Sequence, residues 1–521
     1  MKDTPKALAP RYFEISILRP LLKSDWSRVD YYARRIKALG YYDNEYADQE
    51  LVCWKQPSSL GLLFRERMLR PEVVSRLCLH RRGRWLLPNL THLRMNLYDA
   101  AYADHIPMFL GPSLTSLAFA LQPWEIKPPI NHYLTQERIA RVLDCAAELC
   151  PTVTELEMYP EYSSDIVVAA RKFAYQCDRL EGYHVDTSRH VPFDKSFLLH
   201  LAAKPHLRKA WVHLDSEGAN FLPLLSSPPI YHPFPELQVL YLKVLRLRDC
   251  TPLFPAMQHC RLFSLTLLVE IQPPARDVID LFEALYEHCA KYTLHVLCLS
   301  QIELIPGDTW PPHKSDHLID IAAMSRVLHF PNIRIFTLHL PLYGWLTDEA
   351  FRAIGDAWPG RVGFSFLETW GTPAVTPGTW EGVVGLVQRC PLLYEAHLLF
   401  DATRNLDAAY NFDARPGGTR IRIFDVVDSA LPEDPGNFAK ALFAIAPRAA
   451  SISLIGSWQM EEEQLDGPLP FDAYTYLLQL DKIMCELRIE RFGEEYTTDI
   501  CGAKEVADVS ESQPQEWNPW A

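Results

Sequence analysis

Apolar residues return along this chain in a short phrase. In Phe234-Pro235-Glu236-Leu237-Gln238-Val239-Leu240-Tyr241-Leu242 a proline stands two residues ahead of an aliphatic, and leucines follow three and five places later. With the first aliphatic numbered one, windows of this kind begin at Ile36, Val74, Leu90, Leu114, Val153, Leu180, Leu207, Leu237, Leu262, Leu294, Ile333, Arg361, Leu393, Ile421 and Ala449. Arg361 and Ala449 fit only at their later positions. From Val153 to Leu262 the steps are 27, 27, 30 and 25 residues, the length of a strand plus a helix or loop. The step from Val74 to Leu90 is 16, too short for a regular helix with two connections. Nine windows carry proline at the same offset: Pro88, Pro112, Pro151, Pro205, Pro235, Pro331, Pro359, Pro391 and Pro447. Proline cannot continue a helix and drives the residue before it out of the α region, so each marks a helix ending and a strand beginning.

Between the windows the spacing is helical. Thr135 to Leu149 sets Ile139, Val142, Leu143, Ala146 and Leu149 on one stripe, and Ala275 to Ala290 does the same with Val278, Ile279, Phe282, Leu285 and Tyr286. Helices are also predicted over 164–176, 194–203, 316–328, 347–358, 380–389 and 437–446. Strands separated by helical crossovers pair in parallel. Fifteen are too many for one eight-stranded barrel and leave no boundary for two. The expected fold is therefore α/β, a repeat solenoid with a parallel sheet on the concave face and helices outside. The expected boundaries are an N-terminal helical cap over 1–35, the repeats over 36–460, a capping helix over 461–492 and an acidic disordered tail over 493–521, where Trp517 and Trp520 could form a docking motif.

Composition narrows the function classes. The chain has 521 residues, 48% of them hydrophobic, and a formal charge of −14. That balance argues against a general nucleic-acid binder, and the Arg-rich stretch from Arg65 to Arg84 is interleaved with Leu and Val. No run of about eighteen apolar residues predicts a membrane span, and the opening Met1-Lys2-Asp3-Thr4-Pro5 lacks the apolar core of a secretory signal. Twelve cysteines without paired Cys-x-x-Cys spacing read as reduced thiols of a cytoplasmic or nuclear protein. Cys150, Cys177, Cys260, Cys289 and Cys390 close predicted helices and read as small apolar residues packing the corner before the strand. The sequon Asn89-Leu90-Thr91 is expected inside a strand.

Catalytic chemistry finds no support. There is no G-x-x-x-x-G-K-[ST], no strand-linked G-x-G-x-x-G and no H-E-x-x-H. His313, Asp316 and His317 read as a solvated proline-rich loop rather than a metal site, and Gly363-Phe364-Ser365-Phe366-Leu367 lacks the second glycine of a nucleophile elbow. Glu155 and Glu157 share one strand face and read as solvated acids. Neither catalytic residues, nor metal, nor cofactor are expected. Binding is the better class, because positions three, five and seven of each window alternate with the core leucines and should face the concave surface. That row holds Arg94, Glu157, His184, Trp211, His213, Tyr241, Thr337, His339, His397 and Asp425, expected to be exposed and to meet a protein partner. Trp211 and Tyr241, at position five of adjacent repeats, should lie about 5 Å apart.

The windows resemble leucine-rich repeats, whose signature is L-x-x-L-x-L-x-x-N/C. The ninth position departs from it, being Asn44 once and otherwise residues such as Glu161, Asp215, Leu245 and Asp401. The phrases Asp25-Trp26-Ser27-Arg28-Val29-Asp30-Tyr31-Tyr32-Ala33-Arg34-Arg35-Ile36-Lys37-Ala38-Leu39, Leu87-Pro88-Asn89-Leu90-Thr91-His92-Leu93 and Cys390-Pro391-Leu392-Leu393-Tyr394 are similar to segments of leucine-rich-repeat F-box proteins of mushroom-forming fungi. That resemblance implies the substrate-recognition subunit of an SCF-type ubiquitin ligase. A repeat scaffold without a ubiquitin role is the alternative, and an enzyme on an α/β repeat is a remoter one. The residues ahead of Ile36 lack the Leu-Pro-x-Glu-like opening of an F-box, of which Leu8-Ala9-Pro10-Arg11-Tyr12-Phe13-Glu14-Ile15 is at best a remnant. Skp1 is accordingly expected as a partner only where an F-box stands upstream.

Overall fold

The structure, a computed structural model, describes residues 13–15, 22–39, 67–69, 73, 75–77, 84–97, 103–121, 132–162, 164–187, 194–214, 222, 225, 232–301, 318–319, 321–340, 343–344, 346–367, 378–412, 419–426, 429–449, 451–453 and 473–492. The chain forms two compact units, one of residues 1–245, 249–267 and 288–290, the other of residues 246–248, 268–287 and 291–521.

In the first unit β1 (Phe13–Ile15), β2 (Ala38–Leu39), β3 (Arg67–Leu69), β4 (His92–Leu97), β5 (Ser116–Leu121), β6 (Glu155–Tyr162), β7 (Gly182–Thr187), β8 (Lys209–Leu214) and β9 (Val239–Val244) are followed by β10 (Ser264–Val269), most of which belongs to it. Strands β2 and β4 to β10 lie side by side in chain order, while β1 and β3 pair separately. The second unit contains β11 (Val296–Gln301), β12 (Leu318–Ile319), β13 (Ile335–His339), β14 (Tyr343–Gly344), β15 (Gly363–Leu367), β16 (Glu395–His397), β17 (Ile423–Asp425) and β18 (Ser451–Ser453). Here β11, β13 and β15 to β18 run in chain order, and β12 pairs with β14. Every pairing whose register is resolved is parallel. The strand order does not close on itself, which is the α/β solenoid arrangement rather than a barrel.

Each of these fourteen sheet strands begins two residues after the first position of a window. The physical reason is a turn. In eight of the nine proline-bearing windows the first-position N–H donates to the carbonyl three residues earlier, as Val153 does to Cys150 at 3.1 Å and Leu237 to Phe234 at 3.1 Å. The proline is then the second residue of that turn, where its fixed φ is already the one required. Positions one, four and six fill the core, Leu237, Leu240 and Leu242 being no more than 1% exposed.

Two ladders replace the asparagine ladder that the ninth position lacks. The second-position carbonyl of one repeat accepts N–H groups from both the second and third positions of the next: Glu181 from Arg208 and Lys209, Arg208 from Gln238 and Val239, Arg334 from Val362 and Gly363. At the residue opening the turn, side chains reach back to the equivalent carbonyl one repeat earlier. Lys204 Nζ donates to Cys177 O at 2.7 Å, Trp358 Nε1 to Phe330 O at 2.9 Å, and Cys390 Sγ to Trp358 O at 3.4 Å. The corner cysteines are buried as their setting requires, and burial raises the thiols of Cys150 and Cys260 to about 12.

The helices match their periodicity closely, with Ser164–Gln176 and Trp380–Arg389 at the expected bounds and His132–Leu149, Lys195–Ala203, Ala275–His288, Asp348–Ala357 and Pro435–Ile445 near them. Asp194, Thr347, Thr379 and Asp434 cap their helices through the side chain. The helix Ala473–Phe492 buries Tyr476, Leu480 and Met484, and its Arg488 donates to the carbonyls of Pro447 and Ala449 just before β18.

Four expectations are corrected. The Val74 window is helical at 73 and 75–77, not a strand. Residues 316–328 do not form a helix where described: Leu318–Ile319 is a short strand held by Tyr343–Gly344, followed by turns and the 3₁₀ turn Val327–His329. The sequon lies ahead of β4, with Asn89 Nδ2 donating to Arg34 O at 2.7 Å. Cys298 is disulfide-bonded, so the thiols are not all reduced. No described helix is long and apolar enough to cross a membrane. His313, Asp316, His317 and the segment 493–521 lie outside the described residues.

Candidate functional site

The parallel register decides what the odd positions can do, because it sets position five of each repeat against position five of the next. In the first unit Glu157 on β6 pairs with His184 on β7, and Trp211 on β8 with Tyr241 on β9. The rings of His184 and Trp211 stack at 4.5 Å and 15°, and those of Trp211 and Tyr241 at 5.4 Å and 25°, close to the expected spacing. His184 also lies 5.5 Å from Tyr241, so the three rings form one cluster rather than a line. Trp211, flanked on both sides, is 3% exposed. The row is therefore not the open display that alternation predicts. His213 and Thr337 are buried as well, and Arg94, Glu157, His184, Tyr241, His339, His397 and Asp425 are half-buried. Adjacent strands lie only about 4.8 Å apart, so bulky neighbours cover one another.

Burial sets the charge on this surface. It pushes His184 down to about 3, with Arg94 adding to the effect, and His213 to about 3, with Lys243 and Arg171 adding. Both are neutral near pH 7. Glu157 is raised by burial; Arg94 pulls it back, Glu155 adds to the rise and Lys209 opposes it. The pair Glu155 and Glu157 is thus part of a mixed-charge surface with Arg94 and Lys209, not two solvated acids.

In the second unit Thr337, Ser365, His397 and Asp425 succeed one another across β13, β15, β16 and β17. His339 is hydrogen-bonded to Ser365 Oγ, and burial lowers it to about 3. His397 behaves in the opposite way. Burial alone would lower it, but hydrogen bonds to Asp425 and Glu395, together with the charges of both, raise it to about 9. Its Nε2 lies 2.6 Å from Glu395 Oε1 and its Nδ1 2.5 Å from Asp425 Oδ2. The rings of His339 and His397 meet edge-on at 6.4 Å. Sequence reasoning missed Glu395 and Ser365, although the face assignment reaches both: Glu395 is position three of the window that holds His397, and Ser365 is position five of the Arg361 window.

Chemically, these two surfaces can supply stacked aromatic area, neutral imidazoles and a half-buried imidazolium held between carboxylates. Among the described residues no group of three His, Cys, Asp or Glu could hold a metal ion.

No protein-family model matches the chain, and no curated protein does. Among solved structures it is similar to the complex of Rad7 and Elc1 in yeast, with 16% identity over 69% of this chain and 81% of that chain and a TM-score of 0.43. So distant a likeness bears on neither function nor partner.

Proposed function

We propose that this chain is a protein-binding repeat module whose contact surface is the odd-position face of its parallel sheet, and that it serves as a substrate-recognition subunit of a ubiquitin ligase. The observation that carries the binding role is the cluster of His184, Trp211 and Tyr241, each ring within 5.5 Å of the other two. Aromatic groups set side by side on a rigid sheet are the material of interface hot spots. Tyr241 and His184 keep accessible surface beside the nearly sealed Trp211. The ligase role rests on the resemblance of the repeat phrases to leucine-rich-repeat F-box proteins.

The test places a photo-crosslinking residue at position 241 and, as a control, at Val168, which is 59% exposed on the helix Ser164–Gln176. A discrete partner is expected to crosslink from 241 and not from 168. Equal crosslinking from both positions, or none from 241, overturns the surface assignment. Binding of purified Skp1 by a version of the chain extended upstream, but not by the chain itself, supports the ligase role, and capture of a partner with no Skp1 binding by either favours the scaffold reading.

A further inference from the structure

The residues on either side of position one, at the rim where the chain turns into each strand, differ between the two units. In the second unit Arg334, Arg420, Arg422 and Arg448 stand there, with no Asp or Glu. In the first, both signs stand there and pair: Arg208 lies 3.7 Å from Glu181 and 3.5 Å from Glu236. Arg334, Arg420 and Arg448 are exposed and Arg422 is half-buried. None of the four has a carboxylate partner among the described residues. The backbone ladder strings Arg334, Val362, Tyr394 and Arg422 into one row, each N–H donating to the carbonyl of the one before at 2.7–2.8 Å. Leu392 and Tyr394, 40% and 41% exposed, place apolar surface among these cations. A cluster of one sign, in a chain whose formal charge is −14, attracts an anionic partner.

The chain carries the opposite charge to this very place. Residues 493–521 hold seven acidic residues against the single Lys504. They continue from the helix Ala473–Phe492, whose Arg488 donates to the carbonyls of Pro447 and Ala449 on both sides of Arg448. The Phe492 ring lies 6.4 Å from that of Phe443, three residues before that turn opens at Ala446. Four residues separate Arg488 from Phe492, so the segment starts about 6 Å along the helix axis from the turn. Arg448 and Arg334 belong to repeats four strands apart in the sheet order, about 19 Å, which roughly six extended residues span. Glu494, Glu495 and Asp499 all fall within that reach. A tethered segment meets the rim at an effective concentration of order millimolar, ahead of any dilute polyanion.

We propose that the acidic segment 493–521 docks on this basic rim of the second unit, its carboxylates meeting Arg448, Arg420, Arg422 and Arg334 and its aromatic residues meeting Leu392 and Tyr394. The rim is separate from the odd-position face of the sheet, so the docking does not rest on a partner binding there.

The experiment places the photo-crosslinker p-benzoylphenylalanine at position 394 of the full chain and, as a control, at Ile271, which is 42% exposed two residues past the end of β10. Crosslinked peptides are identified by mass spectrometry after digestion. Position 394 is expected to capture peptides of 493–521 within the same chain, in a yield independent of protein concentration, and position 271 is not. Raising the salt from about 0.05 to about 1 M should lower that yield about fivefold or more, because the rim cations are exposed to screening. Charge reversal by Arg420→Glu, Arg422→Glu and Arg448→Glu should lower it at least as far, and adding Glu494→Lys, Glu495→Lys and Asp499→Lys should restore it. No capture of the segment, equal capture from both positions, indifference to salt, or capture only between chains each overturns the assignment. A labelled single-stranded oligonucleotide that binds the full chain through these arginines, without intrachain crosslinking, would assign the rim to nucleic acid instead. The salt measurement leaves every arginine in place, so it decides the question even if the charge-reversed chain does not fold.

Discussion

His184 and His397 occupy the same position of their repeats, one in each unit, and carry opposite charge states. His184 stacks on Trp211 and lies near Arg94, and it is neutral. His397 is held between Glu395 and Asp425, and it is protonated. Repeat position, strand and side-chain direction are shared, so none of them sets the charge. What differs is the neighbours: a ring on the next strand and the charge of Arg94 for His184, carboxylates on the next strand and two places along its own strand for His397. A solenoid of this kind can therefore vary the charge of its sheet face from one repeat to the next without disturbing the fold.

The harshest way to break the comparison is to remove the aromatic anchor of the first surface. Trp211→Ala is expected to lose about 3–5 kcal/mol in chemical denaturation, because a sealed ring leaves a cavity. A loss within experimental error would mean that the cluster does not form. In the second surface, His397→Ala leaves Glu395 and Asp425 facing one another without their cation and should cost about 3 kcal/mol. His397→Lys should recover part of that, whereas His184→Lys should only destabilise.

Titration separates the surfaces by sign. His397 has its pKa raised, so its stabilising contribution is complete below pH 6.5 and is lost as pH rises through about 9, amounting to roughly 3 kcal/mol at most. His184, His213 and His339 have theirs lowered, so stability is lost as pH falls below 6.5 toward 3. In melts across pH, His397→Gln should flatten the alkaline limb and His213→Gln the acid limb; the reverse assignment would invert the charge states described here. The smallest effect belongs to Tyr241→Ala, which should change stability by about 1 kcal/mol yet abolish partner crosslinking from an adjacent position, since half-buried rings contribute more to contact than to the core. Equal crosslinking by this variant would move the binding surface elsewhere.

Much of the architecture was legible beforehand: a window announces each sheet strand, although the strand itself, as at Ala38, Val239 and Ser451, begins two residues into it. Even the imperfect Arg361 and Ala449 windows opened true strands, because Phe364 and Phe366, and Ile452, kept the alternation. The Val74 window failed where its spacing was already too short for a repeat. The 316–328 stretch failed differently: its apolar spacing suits a helix, but Leu318–Ile319 finds a strand partner in Tyr343–Gly344, beyond any local window. At the candidate site the residue types and the Trp211–Tyr241 spacing were legible, and their exposure was not.

Local periodicity decided where each strand begins and which side chains enter the core, since both follow from the turn and from the two-residue alternation of a strand. Only the tertiary structure decided that Trp211 is sealed, that Lys204, Trp358 and Cys390 substitute for an asparagine ladder, and that His184 and His397 differ in charge. Desolvation and Coulomb interactions act through space, and, Glu395 apart, the groups responsible come from other repeats, brought together only when the strands pair.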